Sequence, residues 1–143
     1  MTQTTTQQQA ESNPPILSTS SIGRHSELLA MAALIANGYS VSEPTVPEAY
    51  DLKAEKGDVT IKAQVKTIKQ RTRDNIDYYV IRGLKNSGQV YSLADCDVFI
   101  GVIDDRVYLT DCREISEYWV KADEVDDKWR RLAIQINSEK GTI

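Results

Sequence analysis

Between residues 22 and 37, Leu28, Ala32 and Ile35 recur at helical spacing with Leu29, Met31 and Ala36 beside them, and Asn37-Gly38 supplies a stop. The pattern predicts a helix over 22–37. A stretch punctuated by Pro44 and Pro47 leads to a short strand over 49–54, and Gly57 then turns the chain back. The clearest signal follows. Val59, Ile61, Ala63 and Val65 alternate with Thr60, Lys62, Gln64 and Lys66, the period of two that packs one face of a strand on a core and leaves the other polar. Gln64 and Lys66 therefore share a face. Further strands are expected over 78–83, 98–103 and 106–110, the last two joined by a turn at Asp104-Asp105. A helical stretch is expected within 113–129 and a strand over 131–136. A helix, a central β-meander, then more helix and strand predict an α/β domain of α+β character with one main mixed sheet.

Residues 1–21 break with this pattern: Thr, Gln, Ser and Pro dominate, and ordering them would cost backbone entropy with little apolar burial in return. A disordered tail over 1–21, one domain over 22–137 and a flexible end over 138–143 are expected, since 143 residues suit a single core. No apolar run approaches the roughly 20 residues needed to cross a bilayer, and no signal-peptide pattern opens the chain. The expected location is cytoplasmic, without membrane contact.

Charge changes the picture. The net charge is −4, which argues against a general nucleic-acid coat, yet the distribution is uneven: residues 1–52 carry −4, 53–85 carry +5 and 86–143 carry −5. A basic middle between acidic flanks suits a protein with one face on phosphate, and also suits a solvated Lys-rich hairpin. Cys96 and Cys112 lack zinc-site spacing and read as reduced, structural residues; the single histidine, His25, reads as a surface residue and rules out a His-rich metal site or a second-histidine triad. Phosphate-loop, nucleophile-elbow and dinucleotide-turn motifs are absent.

Asp51, Gln64 and Lys66 remain as candidate chemistry. A hairpin brings them together, and a carboxylate, an amide oxygen and a backbone carbonyl are hard oxygen donors of the kind Mg²⁺ accepts while keeping several waters. Spacing alone equally allows ordinary polar residues on a solvent face.

The stretch from Gly23 to Thr67, with Glu27, Leu28, Gly38-Tyr39, Pro44, Tyr50-Asp51-Leu52 and Gln64-Val65-Lys66-Thr67, resembles the PD-(D/E)XK nucleases, most of all the group I intron-associated homing endonucleases. The likeness continues more weakly through Tyr91, Asp97-Val98-Phe99 and Val107-Tyr108-Leu109. It implies a restriction-endonuclease-like core in which Asp51, Gln64 and the Val65 backbone carbonyl bind Mg²⁺ (Mn²⁺ as a substitute), Lys66 is the catalytic lysine and Glu27 completes the site from the helix. Two departures stand out: Tyr50 occupies the Pro position of the motif, and Gln64 replaces an acid, removing one negative charge. Lys69, Arg71, Arg73 and Tyr78 would extend from the active strand as DNA contacts. The implied function is a Mg²⁺-dependent endonuclease on double-stranded DNA, working as a homo-oligomer (dimer or tetramer) because two strands are most simply cut by symmetric copies. A Holliday-junction resolvase of the same fold and a catalytically silent DNA-binding or defence-interaction protein remain as alternatives.

Overall fold

The computed structural model describes residues 13–136. Residues 1–12 of the expected tail and the expected flexible end at 138–143 lie outside the described residues. Helix α1 spans Thr19–Ala36, beginning three residues before the expected start because Ser18 caps it: the Ser18 hydroxyl accepts the Ser21 N–H at 3.2 Å. The helix ends as expected, with Gly38 at φ +91° and the Asn37 side chain donating to the Ala33 carbonyl.

Among the described residues nine strands follow: β1 (Ser40–Ser42), β2 (Leu52–Lys56), β3 (Val59–Thr67), β4 (Lys69–Arg73), β5 (Ile76–Arg82), β6 (Val98–Ile103), β7 (Arg106–Asp111), β8 (Glu117–Lys121) and β9 (Arg130–Leu132). They form the expected main mixed sheet, of six strands, and a second sheet of three. The first has the order β1-β2-β3-β6-β7-β9, parallel only at β3–β6, and the second the order β4-β5-β8, antiparallel throughout. The central region is therefore not a simple meander. The chain leaves the first sheet after β3, turns at Ile68, whose N–H donates to the Val102 carbonyl, and builds the β4–β5 hairpin in a separate layer. Asp74 and Asn75 take φ +52° and +64° at the tip, as a two-residue hairpin turn demands.

The helical stretch expected within 113–129 is present but short, and a strand that was not expected, β8, precedes it. Tyr118 and Val120 are buried while Glu117 and Lys121 face out, a period of two that makes β8; only a 3₁₀ turn at Ala122–Glu124 and the short helix α2 (Val125–Lys128) follow it. Strand β2 starts at Leu52, so Asp51 stands just before the strand instead of near its end.

Three layers result. One face of the large sheet, through Leu52, Ala54, Ala63, Val65, Ile100 and Val107, packs on Ala30, Ala33 and Leu34 of α1. That buried stripe is rotated from the expected one: Leu28 and Ile35 are half exposed, and small alanines let the helix sit close to the sheet. The other face carries Phe99 and Tyr108 and packs on Ile68, Tyr79, Ile81, Tyr118 and Val120 beneath the second sheet. Gly101 permits this contact, since a methyl there would lie 2.7 Å from Ile81 Cδ1 and 2.8 Å from Ile68 Cγ1.

Candidate active site

Asp51 is fixed by backbone. Its N–H donates to the Ala63 carbonyl at 2.9 Å and its Oδ2 accepts the Val65 N–H at 2.9 Å. With Leu52 opposite Ala63 in the antiparallel ladder, Asp51 falls opposite Gln64, and Lys66 follows on the same face of β3. The structure thus brings Asp51, Gln64 and Lys66 together, with the Val65 peptide between them. This face is not the open polar surface that alternation alone suggests, because the second sheet and the segment over 84–97 cover part of it. Gln64 is only 9% exposed. Its amide makes no hydrogen bond to a described residue, and no side-chain N or O among those residues is both enclosed and unbonded, so the amide keeps some access to solvent.

Lys66 is held from the opposite side. Its Nζ lies 3.4 Å from the Leu84 carbonyl and 5.0 Å from the centre of the Tyr91 ring, and Tyr91 is itself anchored by its N–H to the Gly83 carbonyl. Burial lowers the Lys66 pKa from the ordinary lysine value, Asp51 opposes that shift, and the Arg82 cation reinforces it. Burial likewise raises the Asp51 carboxyl; the Val65 N–H pulls it down and the Glu27 carboxylate pushes it up. A half-buried carboxylate facing a half-buried ammonium is the result.

Glu27 is less directly placed. It shares a cleft with Asp51, Tyr50 and Glu43, but its Oε1 is paired with Arg24 at 3.0 Å, and Arg24 also reaches Glu43 at 3.1 Å. Glu27 therefore acts on Asp51 through its field and not by contact. Among the described residues no three His, Cys, Asp or Glu side chains are grouped to hold a metal. The donors that converge are one carboxylate, one amide and a backbone segment. That hard-oxygen, weakly charged set fits a hydrated Mg²⁺ with few protein ligands, and does not fit zinc.

Lys69, Arg71 and Arg73 lie on β4 and are exposed; Tyr78, opposite Arg71 on β5, is half buried. All four share the outer face of the second sheet with Trp119, which the Arg73 guanidinium covers at 4.6 Å and the Tyr78 ring meets edge-on at 5.4 Å. Trp119, Arg82, the Leu84 carbonyl and the Arg24–Glu43 link had no sequence signal of their own, since β8 is too short to stand out and the others depend on the path of the chain. The cysteines are free and buried, and burial together with Cys112 pushes the Cys96 thiol up to about 12, which suits a structural role. His25 is exposed on the second turn of α1.

Comparison with known proteins gives three results. No curated protein matches. A solved structure, that of the bacterial homing endonuclease I-Ssp6803I, superimposes with a TM-score of 0.58 at 17% identity over 88% of this chain and 80% of that one, a likeness of fold that makes the mixed α+β core restriction-endonuclease-like. The PD-(D/E)XK endonuclease family model matches residues 17–140, a span that takes in α1, both sheets and the Asp51–Gln64–Lys66 cluster, and the chain belongs to that family.

Proposed function

We propose that the protein is a Mg²⁺-dependent endonuclease that hydrolyses phosphodiester bonds in double-stranded DNA, of the homing or phage and mobile-element type, and that it works in the cytoplasm as a homo-oligomer. The observation that carries this reading is the cluster of Asp51, a free Gln64 amide and a half-buried Lys66 on adjoining strands of a PD-(D/E)XK-family chain.

In this reading Asp51, the Gln64 amide oxygen and the Val65 carbonyl hold the ion, and Mn²⁺ serves in its place. An ion held by these residues would supply Lewis-acid polarisation of the scissile phosphate and a more acidic water. Lys66, steadied by the Leu84 carbonyl and the Tyr91 ring, orients the attacking water and offsets the charge that grows on the phosphate oxygens. Its lowered pKa leaves more of it neutral at a given pH than a free lysine, so that it can take a proton from that water. Glu27 adds negative field from α1 and, freed from Arg24, an outer carboxylate for an ordered water. Lys69, Arg71, Arg73 and Tyr78 meet the DNA on the outer face of the second sheet. Each copy presents one such cluster, so cutting both strands calls for two copies related by symmetry.

The missing acid at position 64 favours one rival, a protein that binds DNA without cutting it. Nicking of supercoiled plasmid by purified protein, with Mg²⁺ and with excess chelator, decides between them. Nicking that chelator abolishes is the expected result; no nicking with Mg²⁺ or Mn²⁺ would overturn the enzyme reading. Running four-way junctions beside linear duplex separates a resolvase from an enzyme acting on plain duplex.

A further inference from the structure

Next to the site, a cleft of about 390 Å³ runs between the first turns of α1 and the outer face of the second sheet. Thr19, Ile22 and Gly23 form one wall, and Lys66, Lys69, Arg71, Arg82 and Glu117 supply its charges. Four cations thus face one carboxylate. None of the four forms an ion pair with a described residue, whereas Arg24, Lys85 and Arg106 elsewhere on the surface do. Arg82 is the most telling. It stands directly opposite Glu117 in the β5–β8 ladder, where a cross-strand ion pair would be the ordinary outcome, yet Glu117 accepts a hydrogen bond from Trp119 Nε1 at 3.1 Å and Arg82 stays exposed and unpaired. Strand pairing places it on the same face as Lys69 and Arg71: Lys69 is opposite Val80, two residues before Arg82, and Arg71 opposite Tyr78. Its charge also reaches Lys66. Like charges crowded around one groove repel each other, and a polyanion laid between them removes that repulsion.

We propose that Arg82 is a DNA-backbone contact, and that with Lys66, Lys69 and Arg71 it makes this cleft the track along which one strand of the duplex carries its phosphates towards Asp51 and Gln64. The inference rests on the nuclease reading above and adds to it a residue and a path. The cleft has room for a stretch of one sugar–phosphate backbone and not for a whole duplex, so the partner strand lies outside it. Glu117 is the counterweight: it sits beside Arg82 and repels the phosphate that Arg82 attracts.

The test is equilibrium binding of a fluorescently labelled duplex oligonucleotide over a salt series, in chelator so that no cleavage intervenes, for wild type, Arg82→Gln, Arg82→Lys, Glu117→Gln and Lys128→Gln. Each phosphate contact contributes about 0.9 to the slope of log affinity against log salt. Arg82→Gln should flatten that slope by about one unit and weaken binding several-fold at low salt, and Arg82→Lys should restore most of both. Glu117→Gln, whose amide oxygen can still accept from Trp119, should tighten binding, while Lys128→Gln, outside the cleft, should leave it unchanged. A wild-type slope in folded Arg82→Gln overturns the proposal. Should that variant not fold, unchanged affinity in Glu117→Gln overturns it equally. Wild type that nicks plasmid but shows either result leaves the nuclease reading standing; wild type that neither nicks nor binds duplex removes both.

Discussion

In the proposed site the amide at position 64 would bring an oxygen ligand without a charge, so the negative field on a bound cation would come from Asp51 and, at a distance, Glu27. Gln64→Glu keeps length and branching and should bind Mg²⁺ more tightly while retaining plasmid nicking; calorimetric titration checks the first and gel assay the second. If wild type is silent in both and Gln64→Glu gains both, the native protein is a binding module. Lys66→Ala should bind duplex DNA and fail to cut, because in the proposed mechanism its charge acts mainly on the transition state. Asp51 yields a stability test. Its carboxyl is raised above the ordinary value, chiefly by burial, so folding favours the protonated form; the stabilisation this gives is complete below the unfolded-state pKa and is lost as pH rises through the folded value. In chelator, Asp51→Asn should therefore melt above wild type at neutral pH, the gap closing as pH falls towards about 4. Added Mg²⁺ should raise the melting temperature of wild type and not of Asp51→Asn.

Two elements hold the site from its flanks. The turn from β5 into the segment over 84–97 passes through Gly83, where a methyl would lie 2.5 Å from the Ile115 carbonyl oxygen and 2.9 Å from Tyr118 Cε1. Backbone cannot step aside as a side-chain end can. Gly83→Ala should cost about 1–3 kcal/mol in chemical denaturation. It should also lower the cleavage rate more than DNA affinity, since Leu84 and Tyr91 steady Lys66. At the other flank Ser18 caps α1 just ahead of the Thr19–Gly23 wall of the cleft. Ser18→Ala should cost about 1 kcal/mol, a loss read from the denaturation midpoint with cleavage unaffected.

Over the whole molecule the charge is arranged by layer. The sum is −4, yet the outer face of the three-stranded sheet carries Lys69, Arg71, Arg73, Arg82 and Lys121 against Glu117 as the acid on that face. A local basic surface on an acidic protein should make DNA binding strongly salt-dependent without making the free protein prone to nonspecific association. Leu28 and Ile35, seven residues apart on one face of α1, stay half exposed. Sedimentation at cleavage concentrations checks the oligomer that symmetric double-strand cutting requires.

Local pattern was enough for α1, for the alternation of β3 and for the β6–β7 hairpin, because each writes its period into neighbouring residues. The same alternation put Gln64 and Lys66 on one face, and the turn at Gly57 put Asp51 across from them. What it left open was whether that face met water. The answer depends on a second sheet contributed by residues after position 68, whose contacts with β3 and β6 are long-range and leave no mark in any short window. Strand β8 has no expectation of its own in the sequence, because five residues of alternation between polar loops are too few to stand out beside a nearby helical turn. Strand β6 returns beside β3 in parallel, and with it come Leu84, Tyr91 and Arg82 around Lys66, positions fixed by the path of the chain through space. Residue types and their period set the chemistry available to this protein; the packing of one sheet on another buried Gln64, lowered the Lys66 pKa and gathered the unpaired cations into a single cleft, because burial and electrostatic fields are properties of neighbours that sequence separation does not encode.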